Sequence, residues 1–197
     1  MNRNFVAIAA ILAGITVGVA PVAPTQAQTP NATQLSWVAP KQAIMRLTPT
    51  TRFTATGERI LNLDLLLDGK LVDRVQAVSG RPGRQHFRLG PASQAGSREP
   101  LPQGTYQVGA VDRQGGLPAA MGDTFIPVTP LFATSRSGIG IHLDADRHLQ
   151  GGSGTIGCLG VLDQADLDAV VRFVQTYRVR TLTVDYGLTP RTVAVRK

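Results

Sequence analysis

Glycine and proline interrupt this chain so often that little of it can be helical. There are 21 Gly and 13 Pro in 197 residues, and the apolar runs between them are mostly of strand length. Ile60 to Leu67 alternates in part, with Leu61, Leu63, Leu65 and Leu67 on one side and Asn62 and Asp64 on the other. Asp68-Gly69 follows, then Leu71 to Val78; an Asp-Gly pair between two such runs predicts a β-hairpin. Tyr106 to Val111 reads as a strand introduced by Pro100-Leu101-Pro102-Gln103-Gly104. Phe125 to Phe132 contains Pro127 and Pro130, which predicts an edge strand or an extended loop. Ile139 to Leu143, Arg180 to Tyr186 and Thr192 to Val195 complete the strands. One helix is expected: Asp163 can cap it, Asp166 lies in its first turn, and Leu167, Val170, Val171 and Val174 follow at helical spacing until about Tyr177. The expected fold is mainly β, a sandwich or barrel with one amphipathic helix in its C-terminal half.

Met-Asn-Arg-Asn, an apolar run from Phe5 to Ala20, and Thr25-Gln26-Ala27 stand in the order of a secretory signal with its cleavage site. The run is short of the about 20 apolar residues that span a bilayer. A signal peptide is therefore expected over residues 1–27, with no stable membrane span after its removal. Residues 28–42 read as a linker, with Trp37 its one candidate anchor, and 43–197 as a single domain. The formal net charge is +7, and Lys occurs only at Lys41, Lys70 and Lys197. The remaining cations are arginines, which grip carboxylates and phosphates bidentately. Arg74, Arg81, Arg84, Arg88 and Arg98 fall in one acid-free, Gly-containing stretch suited to covering an acidic substrate. Cell-wall peptide carboxylates or an acidic membrane surface fit this charge. Nucleic acid is not expected, since no recognition helix or base-stacking motif is visible.

Cys158 is the only cysteine. A single thiol cannot form an internal disulfide, and a lone Cys with a His upstream is a candidate nucleophile and base. His142 can take the thiol proton and return it to a leaving amine. Gly157 and Gly160 allow the backbone beside Cys158 to turn and present amides to an oxyanion. A competing pattern is His142-x-Asp144-x-Asp146-x-His148, four ligand-type residues at alternate positions. Open metal sites gather ligands from separate elements, and this run ends in a turn. Asp144 and Asp146 are therefore read as turn residues, with no metal or other cofactor expected.

Gly140-Ile141-His142, a polar spacer, then Thr155-x-Gly157-Cys158 and an aliphatic residue resembles the active-site motif of the L,D-transpeptidase (YkuD-like) catalytic domain, over Phe125 to Tyr186. The resemblance implies a β-rich, YkuD-like fold, export to the periplasm or envelope of a bacterium, and peptidoglycan stem peptides as partners. It implies acyl transfer through a thioester on Cys158, with His142 as general base and Thr155, Gly157 and Gly160 supporting the loop and oxyanion site. Hydrolysis of the same bond, as in an L,D-carboxypeptidase, and a non-catalytic peptidoglycan-binding module are the alternatives. Two positions depart from the family's pattern: Ile156 stands where a second His is common, and Gly160 where Arg or Asn is frequent. Arg136, just before the His strand, is the expected replacement for gripping a stem-peptide carboxylate.

Overall fold

The computed structural model describes residues 41–113, 117–145 and 154–189. The expected signal peptide, nearly all of the linker and the Thr192–Val195 strand lie outside these residues. Eight strands form a closed barrel: β1 (Ala43–Phe53), β2 (Arg59–Leu67), β3 (Lys70–Ser79), β4 (Gly104–Val108), β5 (Phe125–Pro130), β6 (Gly140–Leu143), β7 (Leu159–Val161) and β8 (Thr181–Val184). Around the barrel they run β1-β2-β3-β7-β6-β5-β4-β8. Two neighbouring pairs are parallel, β6 with β7 and β8 with β1; the others are antiparallel. The fold is thus mainly β, with a single α-helix among the described residues.

The β2–β3 hairpin turns at Asp68 and Gly69, both with positive φ (51° and 75°). That is the geometry an Asp-Gly pair supplies for a tight two-residue turn. Period-two alternation sends Leu61, Leu63 and Leu65 into the barrel, where they meet Met45, Leu47, Val75, Ala77, Ile141, Leu159 and Leu182. Each such side chain contributes about 1.5–3 kcal/mol on burial. The helix α1 (Gln164–Tyr177) begins at Asp163, whose carboxylate accepts the Ala165 N–H at 2.9 Å. It ends at Arg178 in the left-handed region, and its buried face is Leu167, Val170, Val171, Phe173 and Val174.

The Phe125 segment differs from expectation. It is β5, an interior strand between β4 and β6, not an edge or loop. The prolines are accommodated because pairing is intermittent around them. Val128 donates to Ile139 O toward β6, while Pro127 uses its carbonyl, accepting the Gly109 N–H at 2.8 Å. Pro130 is the last residue of the strand, opposite Tyr106 and beyond the reach of the shorter β6.

Asp64 lies on the face opposite the leucines, as the alternation requires, yet is only 1% exposed. Strand register explains this: Arg46 on β1 and Arg74 on β3 stand directly across from it. Arg74 reaches it with Nε at 2.5 Å and Nη2 at 3.1 Å, and Arg46 with Nη2 at 3.2 Å. The hydrogen bonds from Arg74 hold the carboxyl below its ordinary range, against the opposing effect of burial. A carboxyl depressed in the folded state stabilises above its unfolded pKa, and that contribution is lost as pH falls through the folded value. Asp64→Asn is expected to cost about 1–3 kcal/mol near neutral pH, with the gap to wild type closing in acid. Urea unfolding across pH measures both.

Candidate active site

The pairing of β6 with β7 places the chemistry. These strands run parallel with Ile141 opposite Leu159 and His142 opposite Gly160. Ile141 and Leu159 point into the core. The alternate positions, Gly140 and His142 on β6 and Cys158 and Gly160 at β7, therefore share the other face. His142 and Cys158 occupy diagonal corners of this block, with glycines at the other two. A side chain at Gly160 would stand 3.0 Å from Asp144 Cβ and Thr155 Cγ2, and one at Gly140 would collide with the Phe125 ring. That ring stacks on His142, centroids 6.3 Å apart and 21° between planes.

His142 is 4% exposed. Its Nδ1 lies 2.7 Å from Leu143 O. A carbonyl can only accept, so Nδ1 carries the proton and Nε2 is left with its lone pair. Burial pushes the imidazole pKa down, partly offset by the Leu143 bond. Cys158 is 6% exposed, and burial pushes the thiol up, opposed by a backbone hydrogen bond from Gly140 and the charge of Arg136. Both shifts favour the uncharged forms, a thiol at Cys158 and an imidazole at His142.

Thr155 fastens the turn that presents the thiol. Its hydroxyl donates to Cys158 O at 2.6 Å and accepts from the Gly157 and Gly80 N–H groups, each at 3.1 Å. The Thr155 amide donates to Gly80 O at 3.1 Å, and Ser79 Oγ also donates to Cys158 O at 2.8 Å. The Gly157 amide is thus engaged inside the turn. β7 directly follows the thiol, and its pairing with β3 and β6 holds the backbone there; α1 begins after β7.

A cavity of about 580 Å³ opens on this face, with Cys158 and His142 in its lining. Arg81, Arg98 and Arg136 contribute positive charge to its wall and Asp144 negative charge. Arg81 and Arg98 are brought together by an Arg81 N–H bond to Arg98 O at 3.0 Å. The acid-free Arg stretch is thus divided by the fold. Arg74 belongs to β3, Arg88 pairs with Glu99 at 2.9 Å, and Arg81 and Arg98 face the cavity. The sequence marked the stretch but not which two arginines would meet. Asp144, read from sequence as a turn or ligand residue, is 3% exposed and accepts the Gly154 N–H at 3.3 Å. Asp146 and His148 lie outside the described residues. Ile156 is 66% exposed at the cavity wall. Arg136 is buried, with its guanidinium bonded to Gln94 O, Ser97 Oγ, Glu99 O and Ile156 O.

No family model matches the chain, and no curated protein matches it. Among solved structures it is similar to the helical cell shape determining protein Pgp2 of Campylobacter jejuni, at 18% identity and a TM-score of 0.46. The similarity covers 76% of this chain and 48% of that one, so the chain spans about half that structure's length.

Removing the Thr155 hydroxyl leaves several polar groups of the nucleophile turn unpaired. Thr155→Val is expected to lose about 2–3 kcal/mol, and Thr155→Ser, which keeps the oxygen, less than about 1 kcal/mol. Thermal or urea unfolding of the two variants checks this order.

Proposed function

We propose that this chain is a cysteine acyltransferase of the L,D-transpeptidase kind, acting on peptidoglycan stem peptides in the bacterial envelope. One observation carries the reading: His142 on β6 and Cys158 at the entry to its parallel neighbour β7 share one face and line the same cavity. The resemblance of Gly140-Ile141-His142 and Thr155-x-Gly157-Cys158 to the family's motif supplies the substrate class.

In this reading His142 Nε2 removes the thiol proton as Sγ attacks the scissile carbonyl. The tetrahedral intermediate collapses by expelling the terminal amino acid, whose amine takes the proton from His142. This leaves a thioester on Cys158. An amine of a second stem attacks the thioester, His142 receives its proton, and the thiolate is released and reprotonated. Arg81 and Arg98 supply guanidinium groups at the cavity wall for a substrate carboxylate. Water resolving the same thioester would make the protein an L,D-carboxypeptidase.

Intact mass after incubation with a tetrapeptide stem or a carbapenem tests the acyl-enzyme. Wild type is expected to gain the acyl mass and Cys158→Ala none; no adduct on wild type overturns the reading. D-Alanine release measured with and without an acceptor amine separates transfer from hydrolysis.

His142→Ala is expected to keep its fold and lose about 10²–10⁴-fold in acylation rate. The base must be unprotonated to work, and its pKa lies below the ordinary histidine value of 6.5. The acid limb of the acylation rate is therefore expected below that value, read from a pH–rate profile.

A further inference from the structure

Arg136 sits just before the His142 strand, where it was expected to grip substrate. The fold gives it other partners. It is 6% exposed. Its Nη1 donates to Gln94 O at 3.2 Å and Ser97 Oγ at 2.9 Å, and its Nη2 to Glu99 O at 3.2 Å and Ile156 O at 3.4 Å. Four of the five guanidinium N–H donors are occupied. All four acceptors are neutral oxygens, so these bonds leave the positive charge in place. Three belong to the β3–β4 loop and the fourth to the turn that carries Cys158.

Gly157 belongs to the same arrangement. Its φ is +125°, which side-chain-bearing residues rarely adopt, and a Cβ there would overlap Arg136 Nη2. The guanidinium thus occupies the side-chain space of the residue before the nucleophile. We infer that Arg136 is a positioning residue for Cys158, a buried cation that ties the nucleophile turn to the facing loop and steadies the thiolate. The inference deepens the proposed acyl transfer and rests on it for its functional meaning.

The need for such a cation follows from burial. Burial raises the thiol and lowers the imidazole, which widens the gap the proton must cross from Cys158 to His142. Each pKa unit of that gap costs a factor of ten in the fraction of ion pair. The positive charge of Arg136 acts on the thiol in the opposite sense. The other charged or titratable groups of the cavity wall are His142 and Asp144 from the β6 side and Arg81 and Arg98 from the β3–β4 loop.

Because Cys158 is the only cysteine, alkylation by iodoacetamide reads it alone, without substrate. The rate is measured against pH on the full chain for wild type, Arg136→Gln, Arg136→Lys and Arg84→Gln, the last an exposed arginine of the same loop. Arg136→Gln is expected to move the midpoint upward by about one pH unit or more. Arg136→Lys keeps the charge and should restore most of that shift, and Arg84→Gln should leave the midpoint in place. An unmoved midpoint in Arg136→Gln overturns the inference, as do equal shifts in the Gln and Lys variants, which would mark a purely structural tether. Should Arg136→Gln fail to fold, Gly157→Ala displaces the guanidinium instead; an upward midpoint supports the inference and an unchanged one overturns it. Since alkylation needs no peptide, failure here is distinguishable from absence of an acyl adduct on wild type, which would count against the proposed function alone.

Discussion

The parallel pairing of β6 with β7 is the constraint on which the site depends. Strands that run the same way cannot be joined by a tight turn, so a longer connection separates His142 from Cys158. The return ends in the turn fastened by Thr155, and the register it sets places imidazole and thiol at diagonal corners of one face. A shift of one residue would turn Cys158 into the barrel and bring Leu159 out. The core itself therefore guards the register, because Leu159 and Ile141 are fully buried side by side. The placing of thiol and imidazole on one face and the hydrophobic packing are two consequences of the same strand pairing.

Around that block, space is left by glycine and taken by something else. The Phe125 ring lies over Gly140, Asp144 and Thr155 close in on Gly160, and the Arg136 guanidinium fills the place beside Gly157. Each borrowed neighbour comes from a different segment: β5, the stretch after β6, the nucleophile turn and the β5–β6 connection. This face is thereby assembled from several stretches of chain although His142 and Cys158 sit only sixteen positions apart in sequence.

Local patterns in the sequence anticipate the local structure well. The Asp68-Gly69 hairpin, the Asp163 cap, the apolar stripe of α1 and the β6 strand all depend on neighbours a few residues away. What escaped was set by partners far along the chain. Pro127 marked an edge by local rules, yet closing the barrel gives β5 neighbours on both sides. Alternation sets Asp64 on the side opposite the leucines, and only the fold brings the two arginines on flanking strands that cover it. Arg136, expected to replace a missing substrate contact, donates to acceptors 20 to 42 residues away. Cys158 and His142 stand out because their chemistry is rare in this composition, and the fold brings both to one cavity, whereas which arginines of the rich stretch reach that cavity depended on the fold of the loop.

The buried thiol also bears on the durability of the protein. Oxidation by peroxides proceeds through the thiolate, and a first oxidation to sulfenic acid is reversible chiefly when a second thiol can resolve it. This chain has no second cysteine, so it cannot rescue itself by forming an internal disulfide. Cys158 is 6% exposed and burial favours its protonated form, which limits the population that oxidants can attack. The same burial that makes the thiol a reluctant acid shields it from oxidation.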